Sequence, residues 1–243
     1  MEQGTCKLCG KYGDLKRSHI IPEPFYEPLY EEKLHQFLRY TTDGQRPKRG
    51  RKGFREPLLC PACEHITEVY DDYAIKVWND HNDAKVQYHP SDKGLVVTGV
   101  DYVIMKLFFI ITLWRMGVSR LPDFSSVSLG KKHENKLRQM ILDKNPGRQY
   151  EYPVFLFGAR KDARVREIML RSMSILGSYR IDRHRAYDFL IGSLMWHFIV
   201  SSHLNDYQMK VSCSLRESGE LVMYQNDELI EKVIRTSVPR FKK

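Results

Sequence analysis

The chain has 243 residues, 42% of them hydrophobic and 28% charged, a balance that excludes disorder along its length and leaves room for one large domain or two modest ones. Its net charge of +9 and pI of about 9.2 favour an anionic partner, with nucleic acid the commonest large anion in a cell. The most apolar window, Val103 to Leu113, is interrupted by Lys106 and closed by Arg115, which falls short of the ~18 to 20 apolar residues that a membrane span requires. No membrane partner is therefore expected.

Five cysteines would suit a disulfide framework in a secreted protein, but the Met-Glu-Gln start has neither the basic nor the apolar region of a secretory signal. A reduced, cytoplasmic setting with metal-bound thiolates is the expectation. From Cys6 to Gly10 the sequence has the shape of a zinc knuckle, a tight turn whose amides point at sulfur and whose glycine tolerates unusual dihedrals. Leu15 to Ile21 reads as a strand with His19 near its end, stopped by Pro22 and Pro24. Phe25 to Tyr40 is expected to hold a short helix, with Leu34, Phe37 and Leu38 at helical spacing.

Thr41 to Arg55 carries Arg46, Lys48, Arg49, Arg51, Lys52 and Arg55 with no acid after Asp43. Such a run reads as a mobile loop or hairpin tip whose like charges repel until a polyanion neutralises them, so these six residues are candidate nucleic-acid contacts. A solvated loop is the bland alternative. Phe54 could stack on a base or anchor the loop. A second knuckle, Cys60 to Cys63, leads into a helix expected to open at Cys63 and run through Trp78.

The polar stretch from Asn79 to Asp92 places a domain boundary at about residue 90. Beyond it, Leu95 to Val97 is a strand candidate, Asp101 caps a helix ending at Gly117, and Lys131 to Lys144 is amphipathic. Tyr152 to Phe157 reads as a strand and Ala163 to Leu176 as a helix. Phe189 to Ser201 is apolar almost throughout, either a central strand bent at Gly192 or a buried helix. Val211 to Leu215 and Leu221 to Tyr224 read as a hairpin. Cys213 stands apart and reads as a small buried hydrophobe. Asp182, Arg183, His184, Asp188, His197 and His203 have no recognised spacing, and ordinary surface or core roles are expected of them.

Two Cys-x-x-Cys pairs supply four soft ligands for tetrahedral zinc: Cys6, Cys9, Cys60 and Cys63. A closed four-cysteine site is structural, so any chemistry must come from residues that the metal holds in place. The order Cys-x-x-Cys, a strand ending in His, Leu-Cys-x-x-Cys and a helix resembles the HNH endonuclease family, whose ββα-metal core often carries such a zinc. The likeness covers residues 5 to about 78. It implies a treble-clef arrangement in which His19 is the general base and one divalent ion, Mg²⁺ or Mn²⁺, polarises the scissile phosphate.

Three positions depart from the family pattern: Ser18 stands where an acid or another ligand often precedes the His, Arg55 about where an Asn is expected, and Glu64 where a His usually follows the last Cys. Glu64 becomes the substitute ligand for the catalytic ion, with His65 or Glu68 nearby. Ser-His-Ile-Ile-Pro with Leu-Leu-Cys-x-x-Cys-Glu also looks like a group of uncharacterised bacterial proteins, which implies a bacterial or phage origin and a defence role.

The expected architecture is α+β, a zinc-stapled treble-clef unit over 1–90 and a larger α+β domain over 91–243. The second domain would recognise substrate, form a homo-oligomer or dock a protein partner. The expected activity is metal-dependent hydrolysis of phosphodiester bonds, in DNA sooner than RNA. The alternative is a non-catalytic zinc module that binds nucleic acid or a protein.

Overall fold

The computed structural model describes residues 2–31, 33–40, 48–79, 85–159, 169, 172–181, 183–191, 194–204 and 206–237. The chain begins with β1 (Glu2–Thr5), β2 (Tyr12–His19), β3 (Phe37–Tyr40), β4 (Lys48–Gly50), β5 (Arg55–Leu59) and α1 (Pro61–Asn79). It continues through β6 (Gln87–Ser91), β7 (Gly94–Thr98), α2 (Tyr102–Val118), α3 (Lys131–Leu142) and β8 (Val154–Gly158). Last come β9 (Ser172–Ile181), β10 (His184–Ile191), β11 (Leu194–Val200), α4 (Tyr207–Val211), β12 (Leu221–Gln225) and α5 (Asp227–Ser237).

These elements make a mixed α+β fold with two sheets. The smaller sheet has the order β1-β2-β5 and is antiparallel throughout. The larger has the order β4-β3-β9-β10-β11-β8-β12-β7-β6, with parallel pairs only at β3–β9 and β8–β12. Thus β3 and β4, from the first ninety residues, join the sheet built mainly by the rest of the chain, and one apolar core reaches from Cys6 to Leu221. The boundary expected at about residue 90 falls inside β6.

The helix α2 is the centre of that core. Asp101 caps it by accepting from the Ile104 amide at 3.0 Å, as the sequence suggests, and every residue from Met105 to Met116 is buried. Phe108 and Phe109 pack against Trp196 of β11, and Phe25 wedges between Phe108, Trp78 and Trp196. None of the described helices is long and apolar enough to cross a membrane.

Phe189 to Ser201 resolves into β10 and β11, antiparallel partners with Asp188 opposite His197. Both strands are buried along nearly their full length, with α2 on one face and Ile230 and Ile234 of α5 against Leu190 and Met195 on the other. Burial on both faces removes the polar alternation that would have marked two strands.

Three expectations require correction. Over Phe25–Tyr40 the chain forms 3-10 turns at Glu23–Phe25 and Glu27–Leu29 and then the strand β3, because Pro24 and Pro28 start short turns that no α-helix continues. In the segment Ala163–Leu176 only Met169 is helical among the described residues, while Met173 to Leu176 belong to β9. Val211 ends α4 and is not in a strand; the hairpin shrinks to a single bridge, Leu215 to Leu221, and β12 pairs with β7 and β8 instead.

Lys106 lies within α2 and is 1% exposed, its ammonium donating to the carbonyl oxygens of Tyr152 at 3.0 Å and Gln149 at 3.4 Å. Burial lowers its pKa from 10.5 to about 8. Between those two values the unfolded chain holds a proton that the folded chain has released, so stability must rise as pH rises through that window. In urea unfolding at pH 7 and pH 10, the wild type should gain about 3 kcal/mol relative to Lys106→Met, and an identical pH response in the two proteins would refute the assignment.

Candidate metal centre and the adjoining His19 site

The first knuckle is closed by its own backbone. The Gly10 amide donates to the Cys6 carbonyl at 2.9 Å, Cys6 N donates to Lys11 O at 2.9 Å, and Gly10 adopts φ of 80°, which disfavours any side chain. Lys7 N then donates to Leu58 O at 3.0 Å, bringing this turn against the end of β5. The second knuckle is the start of α1, where Pro61 takes the first helical position and the Glu64 amide donates to Cys60 O at 2.9 Å.

The sulfurs of Cys6, Cys9, Cys60 and Cys63 consequently lie within 4.8 Å of one another, with Cys9 and Cys60 3.8 Å apart. Burial alone would raise the Cys6 thiol, but the amides of Cys9, Cys60 and Leu8 bring it down to about 7. Burial and the neighbouring thiols push Cys63 upwards. Four converging sulfurs, with amides that favour a thiolate, fit a soft divalent ion such as zinc. Cys213 is remote from the group, buried, with its thiol donating to Met209 O and pushed up to about 11 by burial, as befits a core residue.

β2 and β5 run from this centre as an antiparallel pair that places His19 opposite Arg55. The His19 side chain is about 30% exposed, and its Nε2 sits 3.5 Å from Glu23 Oε2 without a hydrogen-bond partner among the described residues. Burial and the Arg55 guanidinium hold its pKa below the usual histidine range, with Glu23 pulling the other way. A neutral imidazole at neutral pH follows, the form that can accept a proton.

Ser18 is fully buried on the other side of the strand, and its hydroxyl donates to Glu64 Oε2 at 2.5 Å. Two of the positions that depart from the HNH pattern are therefore bonded to each other. The third, Arg55, is bonded elsewhere: its guanidinium donates to Glu23 at 3.0 Å. Glu23 also accepts from the Tyr30 hydroxyl at 2.6 Å and from the Gly53 amide. A Cβ at Gly53 would come within 2.7 Å of the Tyr26 ring and 2.9 Å of Glu23, so only glycine lets the chain turn back there.

The remaining sequence candidates are dispersed. His65 stands exposed and faces Glu68 at 3.6 Å. Among the described residues the four cysteines are the one group of three or more potential metal ligands, and neither Glu64 nor His65 joins a second. Arg46 lies outside the described residues. Lys48 and Arg49 are exposed on β4, Arg49 donating to Gln36 at 3.2 Å, and Arg51 and Lys52 are exposed at the bend that follows. The expected open loop is thus in part an edge strand. Phe54 anchors it, buried against Tyr26 and Phe124 beneath the Arg39 guanidinium.

Sequence reasoning missed Glu23, whose only signal was its place four residues after His19. It also missed the support behind Glu64: the Thr67 hydroxyl lies 3.0 Å from Glu64 O and 2.6 Å from Arg115, which in turn grips Asp71 at 2.7 Å. Arg115 is 1% exposed, and burial raises the Asp71 pKa against its attraction. Removing either partner would strand a buried charge.

No protein-family model, curated protein or solved structure matches this chain. Elemental analysis should find one zinc per chain. Cys63→Ser should lose it and melt roughly 10 °C lower or more, because a structural metal site contributes folding free energy directly; full stability without bound metal would overturn the assignment.

Proposed function

We propose that the chain is a metal-dependent phosphodiesterase acting on nucleic acid, DNA in preference to RNA, built on a zinc-stapled ββα unit of the HNH kind. The observation that carries this reading is that β2 sets His19, held as a neutral base, next in sequence to Ser18, whose hydroxyl bonds the Glu64 carboxylate. Both belong to one strand–strand–helix unit braced by the cysteines. His19 would take the proton of the attacking water, and Glu23 and Arg55 would fix the ring's surroundings. Glu64 would hold Mg²⁺ or Mn²⁺, which supplies Lewis-acid stabilisation of the phosphate when bound. Lys48 and Arg49, exposed on β4, and Arg51 and Lys52, exposed at the bend that leads into β5, would contact the backbone phosphates.

A second reading, a non-catalytic zinc module that binds nucleic acid, draws support from the single cysteine group among the described residues and from the Ser18 bond that occupies Glu64. Nuclease assays with Mg²⁺ or Mn²⁺ separate the two. Under the catalytic reading, wild type cuts and His19→Ala, with its zinc retained, falls by about 100-fold or more. Highly purified wild type that binds DNA in a salt-sensitive manner but cuts neither DNA nor RNA would establish the module.

A further inference from the structure

On the larger sheet, away from the His19 site, Arg180 of β9 and Arg185 of β10 are register partners and so share one face of adjacent strands. Two like-charged residues at directly opposed positions destabilise a sheet, a cost that a bound anion would relieve. They open onto a cleft of about 360 Å³ that is also lined by Ser126, Ser128, Ser178 and Tyr187, with no acidic side chain lining it among the described residues.

The cleft is built in advance. The Tyr187 hydroxyl accepts from the Ser128 amide at 2.9 Å and donates to the Ser128 carbonyl at 2.8 Å, fixing the loop ahead of α3, and Arg185 donates to the same carbonyl. The positive field extends beyond the wall. Burial, and then Lys132, His184, His203 and Arg185, lower the pKa of the neighbouring His133.

Two guanidiniums, which can only donate, and three serine hydroxyls, which can donate, suit the oxygens of a phosphate group in charge and hydrogen-bonding capacity. We propose that this cleft binds a nucleotide phosphate, with Arg180 and Arg185 as the phosphate ligands and Ser126, Ser128 and Ser178 as supporting donors. The proposal is independent of catalysis at His19. A phosphate of this kind reaches the cleft either on a free nucleotide or within a nucleic-acid strand.

Binding of AMP, by calorimetry, and of a short fluorescein-labelled single-stranded DNA, by anisotropy, tests both sources on zinc-loaded protein without other divalent ions. The Arg180→Gln/Arg185→Gln double variant should lose roughly tenfold or more in affinity for the probe that the cleft takes. Ser126→Glu, which puts a negative charge into an intact fold, should do the same. A loss confined to DNA identifies the strand as the source; a loss for AMP identifies the free nucleotide. His19→Ala should leave either affinity unchanged, so failure of the nuclease reading and failure of this one are distinguishable. Equal affinity of wild type and both variants for both probes, or no binding of either probe to wild type, overturns the proposal.

Discussion

Four thiol sulfurs within 4.8 Å of one another, two of them on buried residues, are not a stable arrangement by themselves. Burial opposes their ionisation, and each thiolate that forms raises the cost of the next, as the opposite displacements of Cys6 and Cys63 record. A divalent cation resolves the conflict by taking several thiolates at once. The cysteine cluster brings together two turns some fifty residues apart in sequence, one ahead of β2 and the other at the start of α1. β2 and β5, which pair His19 with Arg55, and α1, which carries Glu64, all lead away from this junction.

The cysteine-bearing unit is not an isolated bead. Arg138 of α3 donates to the Leu8 carbonyl in the first knuckle, and Arg115 of α2 ties Thr67 and Asp71 of α1 into the main core. Phe25 and Trp78 reach Trp196 in the larger sheet. The His19 site therefore rests on elements tied into the main core. Glu23 extends this by collecting Tyr30, Gly53 and Arg55 around a single carboxylate.

What could be read from the sequence was what is determined locally. Cys-x-x-Cys spacing depends on one turn, Asp101 caps its helix within a few residues, and Lys131 to Leu142 shows the periodicity of a helix with one buried face. The β3–β9 pairing joins residues far apart in the chain and leaves no local mark, so β3 was mistaken for helix on the spacing of Leu34, Phe37 and Leu38. Leu34 is in fact exposed while Phe37 is buried. At the candidate site, His19 and Glu64 were visible as residue types in a pattern, but the bond between Ser18 and Glu64 and the role of Glu23 arise only once distant segments meet. The same holds for Arg180 and Arg185, which are unremarkable until strand register sets them face to face.

The central claim is that the metal staples the fold and the chemistry happens beside it. X-ray absorption at the zinc edge, with and without added DNA, tests this most directly. The account predicts a closed shell of four sulfurs at about 2.3 Å that DNA leaves unaltered. An oxygen or nitrogen ligand in that shell, or a sulfur displaced when DNA is added, would contradict it.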